Sequence, residues 1–558
     1  MSARPAGGTG GTRDTLGTRG TLWWGLLDLA RAAAGLPAFL RHPLGLAAAG
    51  AAVAAGVRRR EAAFLESAER LIFAAPCSPL ARLLRWAGCE AGDLRRMVAA
   101  DGVEATLARL RAAGVWVSAE ELRGRVPLRR SGLTLELAPR DFDNPLAAGR
   151  IAGATSGSTG SALPVRYSWP FLAGEAAHEL LLLASHGLGD APVALWLPGP
   201  PGIAGLHNLL VHAKLGRPPR RWFSPSPAPA AGSGLPYHAD RGWRVLRRLL
   251  PRLGPAPEWL PQERAAEVAR WLAQSPRPAV LKCFAGAAMR VAGAAAAAGL
   301  DLSRHLVLAG GEPLTPERRD FLARAGLRVY ARYAATETGF VAGACPAAEN
   351  GGDMHLYADR LAVIATERGA LAFTSLSLAA PKVLLNVELG DHGLLRQQAC
   401  DCALGREGLV WRVAEVHSPA KIALEGVKIG EVDFADLVAG VVRELGGGAD
   451  DFQIWLGDGA NGGARPTVVL SPQAPIEPAA LRDGLRRRLP ALAGGGALAA
   501  ALWCDAGALA VERLPLRLGP DAKMRRLVRL ERSEPAARSG SDPPPPDRAL
   551  LPGGAGGC

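Results

Sequence analysis

The chain has 558 residues, of which 49% are apolar and 21% charged, and a formal net charge of +13. That length can bury a large core in at least two domains, and that composition excludes a wholly disordered chain. The positive charge suits an anionic partner. No zinc-finger spacing, RNA-recognition signature or basic-aromatic repeat accompanies it, so a nucleotide or acyl thioester is expected rather than nucleic acid. Eight cysteines do not make a disulfide framework in so long a chain. With no secretory signal ahead of them, the expected setting is a reducing cytoplasm.

Residues 1–21 are rich in Gly, Thr and Arg and read as a disordered tail. From 22 to about 110, Ala, Leu and Arg recur at three- and four-residue spacing, which predicts helices separated at Pro76–Pro79 and Gly88–Glu90. The apolar run 43–57 is shorter than the ~20 residues of a spanning helix, so a buried helix is expected and a transmembrane span is not. Residues 114–117 and 133–137 read as short strands. Further on, the apolar runs 193–197, 279–281 and 306–309 end at Gly or Pro, as buried parallel strands do, with helices expected at 263–273 and 316–325. This is the pattern of an α/β fold: a large layered α/β domain over 22–412, with a helical N-terminal region over 22–110 and ligand-binding loops at the strand ends. The Pro- and Arg-rich stretch 217–260 reads as a mobile surface excursion. The texture then changes to a small C-terminal α+β domain over 413–531. A Pro- and Gly-rich tail, 532–558, is expected to be disordered.

Four stretches carry chemistry. Thr155-Ser156-Gly157-Ser158-Thr159-Gly160 puts hydroxyls and glycines where a backbone can approach phosphate closely, and it lacks the Gly-Lys-Ser/Thr of a P-loop. Gly310-Gly311-Glu312-Pro313 follows a strand directly. Tyr333-Ala334-Ala335-Thr336-Glu337-Thr338-Gly339 comes next, and then Gly390-Asp391 ahead of Cys400-Asp401-Cys402-Ala403-Leu404-Gly405-Arg406. Taken singly, Thr336-Glu337 reads equally as a helix cap and Gly390-Asp391 as an ordinary turn.

In this order and spacing the four stretches resemble those of the adenylate-forming superfamily, the acyl-CoA synthetases and their relatives, over about 75–535. The run Gly311-Glu312-Pro313-Leu314-Thr315-Pro316-Glu317-Arg318 and the Cys-x-Cys before Gly405-Arg406 are most similar to the phenylacetate-CoA ligase-like branch. The resemblance implies a large adenylation domain and a small C-terminal domain, with ATP, Mg²⁺ and coenzyme A as cofactors. It assigns the β- and γ-phosphates to 155–160, Mg²⁺ to Glu337, and the α-phosphate or the substrate carboxylate to Thr336. Gly310, Gly311, Glu312 and Pro313 form the adenine side, Tyr333 stacks on the base, and Asp391 accepts from the ribose hydroxyls. Lys523 is the C-terminal lysine expected to reach the acyl carboxylate and α-phosphate in the first half-reaction, with Ala522 where the family has glycine.

The hinge departs from that pattern. Where the family has Gly-Arg-x-Asp-Asp, this chain has His417 in place of the ribose-contacting arginine, and Pro419-Ala420 in place of the acidic hinge. Proline fixes φ and so changes how a hinge can turn. Adenylation of a small carboxylic acid, aromatic or otherwise apolar, with transfer to coenzyme A is the expected activity. Transfer to an acyl carrier protein or an amine is the alternative, and a non-catalytic binding protein is a further one; a homodimer is left open. Cys345, His355, Cys400 and Cys402 fall in segments that follow Thr336-Glu337 and Asp391, so they can meet as a Cys₃His set for structural zinc. The alternative is small buried cysteines and an unrelated histidine.

Overall fold

The computed structural model describes residues 34–75, 77–147, 151–154, 164–199, 203–225, 235–314, 316–348, 351–418, 421–424, 427–448, 451–458, 464–492, 496–505, 509–517 and 527–530. Its centre is a twelve-stranded sheet, named here in chain order. The strands are β1 (Val193–Trp196), β2 (Arg221–Ser224), β3 (Glu258–Trp259), β4 (Val280–Phe284), β5 (Leu306–Gly310), β6 (Arg328–Ala335), β7 (Gly339–Ala344), β8 (Met354–Leu356), β9 (Leu361–Ala365), β10 (Ala370–Ser375), β11 (Val387–Gln397) and β12 (Trp411–His417). Their spatial order is β9-β10-β11-β12-β8-β7-β6-β5-β4-β1-β2-β3.

One half of this sheet is parallel. β5 lies between β4 and β6, with Phe284 opposite Gly310 and Ala309 opposite Ala331, and β1 joins β4 with Trp196 opposite Cys283. Every residue of β1 and β4 is buried, as expected of strands covered on both faces by crossover helices. The helices Ala265–Gln274 and Ala285–Ala297 pack by Val268, Leu272, Ala288 and Val291 into one apolar cluster with β4 and β5. From β6 onward the sheet is antiparallel, and β6 serves both halves. Residues 328–331 pair with β5, while 332–335 turn back against β7 with a register shift between Tyr333 and Ala334.

The helical N-terminal region is present from Ala34: the described helices include Leu46–Arg58, Pro79–Trp86 and Ala91–Ala112. Leu46–Arg58 buries Ala49, Gly50 and Val53, whereas Leu46 remains 49% exposed, so the apolar run makes a half-covered surface helix. No single described helix is long and apolar enough to cross a membrane. The region is tied to the sheet through Asn386, whose buried amide donates to the Leu107 and Val115 carbonyls. Residues 114–117 form only a bridge, Val117 to Val387, rather than a strand; 133–137 does form one, over Leu133–Leu135.

The stretch 217–260 is not the surface excursion its composition suggests. It supplies β2, where Trp222 and Phe223 are buried, the helix Leu235–Leu249, and the edge strand β3. Prolines placed between elements mimicked a loop, while the two buried aromatics fill the sheet. Beyond β12 a second apolar cluster centres on Phe434, Val438, Phe452, Val468, Leu481 and Trp503. It is built on a four-stranded sheet in the order Ala510–Arg513, Ala464–Leu470, Phe452–Asp458, Leu527–Arg529, with helices Glu431–Glu444 and Pro478–Arg488.

Candidate active site

The parallel strands β4, β5 and β6 end side by side, so the loops 284–286, 310–313 and 333–337 come together at one edge of the sheet. Gly311 makes the close approach between two of them. Its φ is +74°, and a Cβ there would lie 2.7 Å from the Phe284 ring, so both backbone conformation and space call for glycine. Glu312 locks the same junction. It is buried, and its carboxylate accepts from the Gly286 N–H at 2.7 Å and from Arg318 Nη1 at 3.1 Å. That commits Glu312 to bracing the loop, with the backbone of Gly310 and Gly311 left to form a wall.

The third and fourth motifs meet directly. Tyr333, 6% exposed, donates its hydroxyl to Asp391 Oδ2 at 2.7 Å. Burial, followed by the Asp391 charge, pushes the Tyr333 hydroxyl well above its ordinary range and keeps it a donor. Asp391 lies on β11 and is buried as well; its other oxygen accepts from Ser418 Oγ. Ser418 gave no sequence signal, because a lone serine in a turn belongs to no motif, yet it ties the end of β12 to the acidic residue. His417, by contrast, is exposed and bonds through Nδ1 to the Glu415 carbonyl at 2.8 Å.

Thr336 is positioned through its backbone, with its carbonyl accepting from the Tyr167 hydroxyl at 2.9 Å. Tyr167 ends the strand Pro164–Tyr167, which pairs with Ile151–Ala154 from Ile151↔Tyr167 to Ala154↔Pro164. This hairpin frames Thr155, Ser156, Gly157, Ser158, Thr159 and Gly160, which lie outside the described residues, as do Lys523, Pro419 and Ala420. Glu337 is 7% exposed and pairs with no Lys or Arg among the described residues. A nearly buried carboxylate lacking a protein cation is chemically suited to a hard divalent ion such as Mg²⁺.

Behind these loops lies a network of buried charge between the sheet and the helices Trp169–Ser185 and Ile203–Lys214. Glu179 is fully enclosed, with Lys282 Nζ at 2.9 Å, Arg332 Nη2 at 2.9 Å and His212 Nε2 at 3.4 Å. Burial alone would raise the Glu179 carboxyl, but the Arg332 and Lys282 charges outweigh it and hold the group well below the usual carboxylate range. Burial and then the Arg332 charge push Lys282 down to about 7. Glu175 pairs with Arg360, lies 2.9 Å from His207, and accepts from the Phe340 N–H at 3.0 Å. Burial and the Arg332 charge lower His207 to about 3, so it stays neutral at physiological pH. The network fixes β4, β6 and the start of β7 relative to both helices, and it escaped sequence reasoning because its members are spread from 175 to 360.

Cys345, His355, Cys400 and Cys402 do converge: their ligand atoms all lie within 4.8 Å of one another. Cys345 closes β7, His355 lies on β8, and Cys402 caps the short helix Ala403–Arg406. Hydrogen bonding from Cys345 and from His355 lowers the Cys402 thiol, while the same contact with Cys402 raises Cys345.

The chain matches no protein-family profile and no curated protein sequence. Among solved structures it is similar to a 2-hydroxyisobutyryl-CoA ligase crystallised with 2-HIB-AMP and CoA in the thioesterification state. That similarity has a TM-score of 0.51 at 15% identity, over 88% of this chain and 91% of that one. An amide bond synthetase from Marinactinospora thermotolerans aligns at a TM-score of 0.39 and 16% identity, over 84% of this chain and 92% of that one. The large mixed sheet and the small C-terminal α+β unit give this chain the fold of that 2-hydroxyisobutyryl-CoA ligase.

Proposed function

We propose that this chain activates a carboxylic acid with ATP, forming an acyl-adenylate and pyrophosphate, and transfers the acyl group to coenzyme A. The observation that carries the reading is the meeting of Tyr333, Asp391 and Ser418 beside the Gly310–Glu312 wall and the Thr336-Glu337 turn. A carboxylate whose two oxygens each accept from a hydroxyl is held in one orientation and has lone pairs left to accept from ribose hydroxyls.

In the first half-reaction a carboxylate oxygen forms a bond to the α-phosphorus of ATP, and the bond from that phosphorus to pyrophosphate breaks. Both reactants are anionic, so the protein's task is to position them and offset charge. The 155–160 segment is assigned to the β- and γ-phosphates, Thr336 to the α-phosphate side and Lys523 to the oxygens shared by acid and phosphate. Glu337 would hold Mg²⁺, which supplies neutralisation of the phosphate oxygens. In the second half-reaction the thiolate of coenzyme A attacks the acyl carbon and AMP leaves with the bonding electrons.

The buried Cys283, Phe284 and Ala285 beside this junction support an apolar or aromatic acid. Pro419-Ala420 at the hinge favours, as a second reading, an amine or carrier-protein thiol as acceptor after the same adenylation. The test is pyrophosphate release with ATP, Mg²⁺ and a panel of aryl and fatty acids, with and without coenzyme A. Release that depends on one acid is the expected result, and acyl-CoA in the products identifies the acceptor. No release from any acid, in protein that binds ATP, refutes the proposal.

A further inference from the structure

We infer that Cys345, His355, Cys400 and Cys402 form a closed structural zinc site that clamps the strand leaving the Thr336-Glu337 turn to the segment joining Asp391 to β12. The site does not depend on the adenylation reading. Its ligand atoms are gathered within the span a single metal ion needs, and two of their separations come near the edges of a metal tetrahedron. With Zn–S bonds of about 2.3 Å the sulfur–sulfur edge of a tetrahedron is about 3.8 Å, and a sulfur–nitrogen edge is about 3.5 Å. The Cys345 and Cys400 sulfurs are 3.7 Å apart, and Cys402 Sγ is 3.1 Å from His355 Nε2. A disulfide would bring two sulfurs to about 2.05 Å, and these cysteines are all free thiols.

The surroundings are built to support ligation. His355, fully buried, donates from Nδ1 to the Leu409 carbonyl at 2.7 Å, which leaves the Nε2 lone pair facing the three sulfurs. The Gly405 N–H donates to Cys402 Sγ at 3.4 Å, as suits a thiolate. Gly405 must be glycine here, because a Cβ would fall 2.0 Å from the Cys400 carbonyl oxygen and 2.9 Å from the Cys400 Cβ. Three thiolates and a zinc ion leave one negative charge, and buried Arg412, which also lies 3.6 Å from Asp353 Oδ2, places a cation 3.8 Å from Cys345 Sγ. Three sulfurs and one imidazole fill a tetrahedron, which is the ligand set of structural zinc and leaves no position for a reacting water. The clamp joins β7, β8 and the 400–406 turn, so it fixes Glu337 and Asp391 on one frame.

The test uses the full chain made without a polyhistidine tag and dialysed against a weak chelator. Metal analysis is expected to give about one zinc per chain, and mercurial titration of the thiols should release it to a chromogenic chelator. Replacement by Co²⁺ should give sulfur-to-cobalt charge-transfer bands and the visible bands of a tetrahedral ion. Cys400→Ser, at a partly exposed position, should retain at least tenfold less zinc and show a lower thermal midpoint. Should that variant not fold, the Co²⁺ spectrum of the unmodified chain decides. Wild-type protein with below a tenth of a zinc per chain, and a thermal midpoint unmoved by added zinc, overturns the inference. Full zinc retention in Cys400→Ser overturns the four-ligand set.

Discussion

Replacing Glu179 with Gln tests whether the charge network holds the parallel half of the sheet to its helices. The substitution keeps the side chain's shape and removes only the charge. Lys282 and Arg332, each 2.9 Å from the carboxylate, are then left buried without their shared counter-ion. Breaking a buried pair in this way costs about 3–5 kcal/mol, against a typical stability of about 5–15 kcal/mol. Arg332 cannot lose its proton, but Lys282 can, and this gives the prediction a pH signature. Lys282 titrates at about 7 when folded, against about 10.4 in an unfolded chain. Between those values the unfolded chain binds more protons, so the network's contribution to stability rises with pH. At pH 9 Lys282 is neutral in both proteins and only Arg332 is left unpaired, whereas at pH 6 the native chain keeps Lys282 charged against Glu179 and the variant must either bury that cation unpaired or release its proton. The loss should therefore be larger at pH 6 than at pH 9. Urea unfolding followed by tryptophan fluorescence at both pH values, with refolding on dilution as a control, measures it. A loss below about 1 kcal/mol, or one that does not change between the two pH values, refutes the reasoning.

Gly311→Ala puts a Cβ against Phe284 at a φ of +74° and should cost about 1–3 kcal/mol; equal thermal midpoints for the two proteins would contradict the need for glycine. Asp391→Asn should weaken ATP binding by roughly 10-fold or more while the fold survives, because the amide takes the place of a charged acceptor; unchanged affinity by calorimetry would remove Asp391 from the nucleotide site. Glu337→Gln should raise the Mg²⁺ concentration needed for pyrophosphate release, and an unaltered magnesium dependence would reassign the metal. Lys523→Ala should lower acyl-adenylate formation by roughly 10²-fold or more with ATP binding retained; full adenylation would place the reacting lysine elsewhere.

Local order was legible in the sequence wherever short-range chemistry decides the outcome. The apolar runs before Gly310 and around 193–197 and 279–281 specified buried strands, because side chains enclosed on both faces must all be apolar. Gly310-Gly311-Glu312 and Thr336-Glu337 stood out as strand-end motifs because tight turns near a ligand restrict residue type over a few positions, whereas Asp391 lies within β11. The same reasoning misread 217–260, where prolines at element boundaries outweighed Trp222 and Phe223, whose burial depends on neighbours distant in the chain. Only the tertiary structure decided that Ser418 and Tyr333 would both donate to Asp391, and that Glu312 would brace a loop. It alone gathered Glu175, Glu179, Lys282, Arg332 and Arg360 into one network. Cys345, His355, Cys400 and Cys402 show the division most plainly. Their residue types were visible as pairs, but whether the pairs meet depends on β7, β8 and β12 lying side by side in the sheet. Residue type and local spacing determine which elements form and which groups can do chemistry; long-range strand pairing determines which of those groups touch, since no short stretch of sequence encodes a contact across it.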